Sequence, residues 1–144
     1  MSGKGGAQPP THLRGVADTV KPIDIVRAWL EAMNAHDLPG MSALYAEDVV
    51  GDEVPDPPAR DRRGLEESYR ELFHGYPDCV AELLNIFSEG DQVLAEVCWV
   101  GTNTGEFRGK PPTNKPADLR IAYIFEVEEG RIKRITEYYD GASV

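Results

Sequence analysis

Residues 98–140 read CWVGTNTGEFRGKPPTNKPADLRIAYIFEVEEGRIKRITEYYD, and their pattern is strand, long loop, strand, tight turn, strand. Apolar and β-branched residues flank EEGR on both sides, so 118–128 and 131–139 form a hairpin in which Gly130 supplies the turn conformation. The final strand carries Glu137 and Asp140 among aromatic residues, and acids at the end of such a sheet are candidate chemistry. Upstream, SEGD joins two further strands, about 78–88 and 91–103, in a second antiparallel hairpin.

The amino-terminal half reads as helices. Pro22 opens a first one, where Val26, Leu30 and Met33 fall on one stripe beside Ile25 and Trp29 and the pattern ends near Asn34 to His36. A second is expected from Pro39 to Ala46, followed by a short strand from Asp48 to Val54. PDPPARDRRG is a polar, proline-broken loop. A third helix, Leu65 to His74, places Leu65, Tyr69, Leu72 and Phe73 at helical spacing before GYPD stops it. Helices first and an antiparallel sheet second make an α+β domain with helices on one sheet face. Residues 1–20, rich in Gly, Pro, Ala and Thr, read as a flexible amino-terminal arm, and 21–144 as the single domain.

Composition excludes several classes of function. The chain has 144 residues and a formal net charge of -10, against the basic surface that a phosphate-backbone binder requires, so nucleic acid is not an expected partner. No run is long and apolar enough to span a bilayer, and MSGKGGAQPP lacks the apolar core of a signal peptide; a cytoplasmic protein away from the membrane is expected. Cys79 and Cys98 lie in separate apolar strands without CxxC spacing and read as buried free thiols. His12, His36 and His74 have no metal-ligand spacing with a Cys or carboxylate. There is no glycine-rich phosphate loop and no internal repeat.

NAHDLPGMSALYAEDVV, the PD at 77–78, GTNTGEFRGKPPT at 101–113 and EEGRIKRITEYYD at 128–140 together resemble the polyketide-cyclase-like (SnoaL-like) branch of the NTF2-like superfamily, over about residues 22–140. The resemblance implies a cone-shaped α+β barrel, in which a curved, mostly antiparallel sheet and three helices enclose an apolar pocket, usually in a homodimer. It implies no cofactor and no metal. The ligand it implies is a small apolar molecule. Because this fold hosts cyclases, isomerases, dehydratases and binding modules, function has to come from the pocket.

In the aldol cyclases of that branch, a carboxylate on the last strand is the general acid/base, and aligning the turn glycine with Gly130 brings that position onto Glu137. The family has Asp there. The histidine of the preceding strand falls on Tyr123, whose phenol can donate a hydrogen bond but does not titrate near neutral pH. Alternation puts Lys133, Ile135, Glu137 and Tyr139 on one face of the last strand, and Ile121, Tyr123, Phe125 and Val127 on one face of its partner. If the latter line the cavity, Glu137 does too; otherwise Glu137 is a rim carboxylate paired with Arg120 or Arg134. The segment around Asp52 and Glu53 also resembles the ketosteroid-isomerase branch, with Glu53 at the proton-shuttling position and Trp29 at that of the oxyanion-hole tyrosine. In a cone fold the inner core is the pocket wall, so Trp29, Tyr45, Phe73, Trp99, Phe125, Ile135 and Tyr139 are the expected substrate-binding residues.

Three functional classes follow: a small-molecule acid/base enzyme on a polyketide-like carbonyl substrate with Glu137 leading, an isomerase with Glu53 as base, and a non-catalytic ligand-binding module. Arg60, Arg62 and Arg63 are expected to pair with Asp56 and Asp61. Glu96, alternating with apolar Leu94, Cys98 and Val100, needs a partner such as Arg120 or an interface. Apolar residues on both faces of 91–100 leave more hydrophobic strand than three helices can cover, which predicts a homodimer through the outer sheet.

Overall fold

The computed structural model describes residues 20–143; most of the arm expected over 1–20 lies outside them. Helix α1, Pro22–Asn34, starts with Pro in its first turn, where the missing N–H costs nothing, and buries Val26, Trp29, Leu30 and Met33. Helix α2 is one short turn, Leu38–Ser42, capped by Asp37, which accepts from the Gly40 N–H. Helix α3, Arg62–Gly75, is capped by Asp61, which accepts from the Gly64 N–H. The strands are β1 Tyr45–Glu53, β2 Val80–Glu89, β3 Gln92–Thr102, β4 Pro116–Glu128 and β5 Arg131–Tyr138.

Two expected boundaries move for one reason. The second helix ends at Ser42, not Ala46, and the first strand begins at Tyr45, not Asp48. Tyr45 pairs with Ile132 of β5, and the Ile132 N–H donates to the Leu44 carbonyl at 2.8 Å. Tertiary pairing therefore overrides local helix preference.

The five strands form one sheet in the order β1-β5-β4-β3-β2. β1 runs parallel to β5, and the other pairs are antiparallel. The sheet is curved but not closed: among the described residues β1 and β2 are its edge strands, β1 bridged at Gly51 to Arg60, so the helices rather than a continuous barrel complete the cone. Register shifts in three of the four strand pairs, between Tyr45 and Val50, Leu83 and Asn85, and Glu126 and Val127, bend the strands as bulges do. The β4–β5 turn holds Glu129 and Gly130 at φ 53° and 74°, the left-handed pair that matches strand twist in a two-residue hairpin.

The concave face carries the core. Val93, Ala95, Val97 and Trp99 of β3, Leu119, Ile121, Tyr123, Phe125 and Val127 of β4, and Ile132 and Ile135 of β5 are buried with the apolar faces of α1 and α3. On the convex face, Glu96 takes an ion pair from Arg120 at 3.0 Å and a hydrogen bond from Asn85 at 2.7 Å. Both cysteines are free, but only Cys79 is buried; Cys98 sits on the convex face and is half-buried, because its side of β3 has no layer over it. Among the described residues no helix is long and apolar enough to cross a membrane, and no cluster of His, Cys, Asp and Glu has the arrangement of a metal site.

Candidate active site

Register places one row of side chains across four strands on the concave face. Ala95 of β3 stands opposite Tyr123 of β4, Tyr123 opposite Glu137 of β5, and Glu137 beside Glu53 of β1. Parallel pairing of β1 with β5 thus sets two carboxylates side by side. The cavity over this row has a volume of about 70 Å³. Its walls are Leu65, Ser68, Tyr69 and Leu72 of α3, with Tyr76, Trp99, Leu119, Ile121 and Ile135; Arg60, Phe107, Arg108 and Tyr139 lie around the mouth.

The two carboxylates have opposite surroundings. Glu53 Oε1 meets Arg60 Nη1 at 3.0 Å and Arg108 Nη2 at 3.2 Å, and Oε2 accepts from the Tyr139 hydroxyl at 2.9 Å. Asp56 joins the same network, 3.2 Å from Arg60 Nη2 and 2.8 Å from Arg108 Nη1. Arg60 is placed by backbone: its N–H and C=O both bond to Gly51 of β1, at 2.7 and 2.8 Å. Glu137 takes no ion pair among the described residues and accepts a hydrogen bond from Tyr69. Arg134 is used by Asp52 and Arg120 by Glu96, so the rim pairing of Glu137 with either arginine is not formed.

Burial pushes the Glu137 carboxyl up from 4.5 to about 8, and the neighbouring Glu53 charge adds to the rise; Arg60, Arg108 and the Tyr69 hydrogen bond act in the other direction. Burial, reinforced by the Glu137 charge, holds the Tyr69 and Tyr123 phenols well above their ordinary range. Both phenols therefore remain donors across neutral pH. The floor of the cavity is one titratable acid beside two phenols that keep their protons, Tyr69 turned to Glu137 and the Tyr123 hydroxyl directed at the Met33 sulfur at 4.0 Å.

The SnoaL-like domain family matches residues 26–135. The chain belongs to that family. It is similar to IdmH, a candidate polyketide cyclase from Streptomyces antibioticus, at 29% identity over 85% of this chain and 94% of that one, with a TM-score of 0.74. A candidate polyketide cyclase from Xanthomonas campestris pv. campestris is 25% identical over 83% of this chain and 90% of that one, with a TM-score of 0.74. A protein of ketosteroid isomerase-like fold from Catenulispora acidiphila, solved with trimethylamine, shares the fold at 19% identity, a TM-score of 0.70, and coverage of 84% and 88%.

This SnoaL-like cavity collects only part of the residue set expected from sequence. Glu137, Tyr123 and Glu53 share one row, and Trp99, Ile135 and Tyr139 line the wall. Trp29, Tyr45, Phe73 and Phe125 do not reach the cavity. Trp29 sits behind it, its ring edge-on to Tyr69, Tyr123 and Phe125 at 5.3–5.6 Å, and spends its N–H on the Tyr45 hydroxyl at 3.1 Å. It offers no donor to an oxyanion. Phe73 stacks on His36 at 4.2 Å, outside the cone. The packed core is two side chains deep here, and alternation distinguishes faces, not depth.

Sequence reasoning missed Tyr69 as the partner of Glu137, although it stood on the inward stripe of α3 as the polar member of an apolar set. It also missed Arg108, which sits at the tip of the long β3–β4 loop, where no local pattern predicts a contact with β1. Arg60 pairs with Asp56, as expected, and also with Glu53, which no sequence pattern indicated.

Proposed function

We propose that this SnoaL-like protein is a cyclase that uses Glu137 as its general acid/base, closing a ring by aldol-type carbon–carbon bond formation in an apolar, polyketide-like carbonyl substrate. The observation that carries the reading is the environment of Glu137: a carboxylate with no ion pair among the described residues, in a largely apolar cavity, its pKa raised to about 8. Such a group exchanges protons efficiently near neutral pH, whereas an ordinary carboxylate is too weak a base.

Ionised Glu137 removes a proton from a carbon between two carbonyls, and the electron pair of that C–H bond becomes the enolate. The Tyr69 hydroxyl, released when Glu137 takes up the proton, supplies a hydrogen-bond donor beside it for the charge that develops on the enolate oxygen. The enolate carbon attacks a second carbonyl of the same molecule, the C=O π pair moves onto oxygen, and Glu137 returns its proton there. No atom is lost and the carboxylate is regenerated. The reaction as written needs only proton transfer.

Glu53 is less suited to be the base of an isomerase, since both its oxygens are engaged by Arg60, Arg108 and Tyr139. Its role in this reading is electrostatic: its charge helps hold the Glu137 proton. Association through the convex face belongs to the same proposal, because Val80, Leu84, Phe87, Val100 and Tyr138 are exposed, and so does action in the cytoplasm.

The test is turnover of an aryl-terminated linear triketone ester, followed by chromatography as conversion to an isomer of unchanged mass. The expected rate rises with pH toward about 8 as Glu137 ionises. Glu137→Gln should lose at least about a hundredfold in rate, the range of general acid/base groups, with little change in substrate binding. Undiminished turnover in that variant, alongside loss in Glu53→Gln, would transfer the role to Glu53; no turnover and no ligand in the cavity would leave a binding module.

A further inference from the structure

A cavity of about 70 Å³ is far below the roughly 300–1,000 Å³ of sites that enclose drug-sized ligands. A polyketide-like substrate therefore requires the mouth to open. The lining comes largely from strands and α3, whose places are set by ladder hydrogen bonds and core packing. At the mouth, Arg60 is bonded through its backbone to Gly51. Phe107 and Arg108 differ from it: they belong to the loop between β3 and β4.

That loop has a base pinned by hydrogen bonds and a tip held by side chains alone, Phe107 resting on Gly75 and edge-on to Tyr76 at 5.4 Å. At the base, buried Asn103 donates from Nδ2 to the Gly75 and Gly105 carbonyls at 3.0 and 2.9 Å, and its Oδ1 accepts from the Thr113 N–H at 2.9 Å. Gly105 lies so close to α3 that a Cβ there would stand 2.1 Å from the His74 carbonyl oxygen. At the tip, Phe107 and Lys110 bond only to each other through their backbones, and Arg108 and Gly109 adopt φ of 52° and 77°. Residues 108–115 are all exposed. From this tip, the Arg108 guanidinium crosses to β1 and the loop after it, meeting Asp56 at 2.8 Å and Glu53 at 3.2 Å.

We propose that the Phe107–Arg108 tip is the lid of this cavity and that Arg108 is a positioning residue for Glu137: its ion pairs to Glu53 and Asp56 hold the lid shut and bring a positive charge over the acid, and their release opens the cavity to substrate. The positioning half rests on the acid/base reading given above. The groups facing Glu137 are Glu53 from β1, Tyr123 from β4, Tyr69 from α3, Arg60 from the β1–α3 loop, Arg108 from the lid and Tyr139 after β5. Of these only Arg108 moves with the lid. Closure brings a cation toward Glu137 and covers Glu53, so the closed state favours the ionised base; opening removes that support.

Two measurements on the full chain, neither needing a substrate, test the proposal in Arg108→Met and Arg108→Lys. Acrylamide quenching reports access to Trp99, which lines the cavity. The quenching constant should rise about twofold or more in Arg108→Met and in the wild type at about 1 M NaCl, where exposed ion pairs are screened, with Arg108→Lys between the two. Carbon-13 NMR titration of the Glu137 carboxyl, assigned by its loss in Glu137→Gln, should place the midpoint higher in Arg108→Met by about half a pH unit or more, with Arg108→Lys restoring part of the shift. Quenching unchanged in Arg108→Met overturns the lid. A wild-type midpoint that is raised but not moved by Arg108→Met overturns the positioning role alone, whereas a wild-type midpoint near the ordinary 4.5 overturns the acid/base reading beneath it.

Discussion

Glu137→Gln should make the protein more stable, and more so as pH rises. In the folded chain the Glu137 carboxyl holds its proton up to about pH 8, and in the unfolded chain it ionises through its ordinary 4.5. Between those values the folded state binds the extra proton, so stability falls as pH increases. The contribution is intact below 4.5 and fully lost above 8. Full ionisation corresponds to about 5 kcal/mol at 1.36 kcal/mol per pH unit, and between pH 5 and pH 7 the loss is roughly 2–3 kcal/mol. For a domain of this size that is about 10 °C in Tm. Gln keeps the shape and can still accept from Tyr69, but carries no charge beside Glu53. Asp48, Asp78 and Glu96 are held below the ordinary carboxylate range mainly by hydrogen bonds from Lys133, Thr102 and Asn85 respectively, and are common to both proteins. Thermal unfolding by circular dichroism at half-unit steps from pH 5 to pH 8 isolates the residue: the variant's Tm minus the wild type's should grow steadily with pH. A constant difference would show that Glu137 ionises normally, and the acid/base argument would fall with it.

Asn103→Ala should cost about 1–3 kcal/mol, since it strips a partner from the buried Gly75 carbonyl and from the less buried backbone of Gly105 and Thr113; urea unfolding measures this, and a change below about 0.5 kcal/mol would remove Asn103 as the anchor of the loop. Sedimentation equilibrium at micromolar concentration should give about twice the 15.9 kDa chain mass, and Phe87→Lys, placing a charge on a side chain that is 63% exposed on the convex face, should return it to the monomer mass; a wild-type monomer would refute the expected homodimer.

What could be read from the sequence was local. Alternation over 118–139 with a glycine turn determines the β4–β5 hairpin, but the register set by that turn would place Tyr123 opposite Thr136; the bulge between Ile132 and Arg134 moves Glu137 opposite Tyr123, and nothing local in the chain announces it. The stripe of Val26, Leu30 and Met33 likewise determined which side of α1 is buried. Everything that distinguishes Glu137 from Glu53 was decided by tertiary structure. The parallel pairing of β1 with β5 joins residues far apart in sequence, and no local pattern encodes such a partner. That pairing sets one carboxylate beside the other. The folding back of two loops then brings Arg60 and Arg108 onto Glu53 and leaves Glu137 with Tyr69. Depth was undetermined for the same reason: Trp29, Tyr45 and Phe125 have the composition of a pocket wall, but whether an inward side chain touches the cavity or the layer behind it depends on how far α1 and α3 stand from the curved sheet. Sequence alone supplied the acids and the strands that carry them; only the packing of distant segments determined which acid keeps its proton.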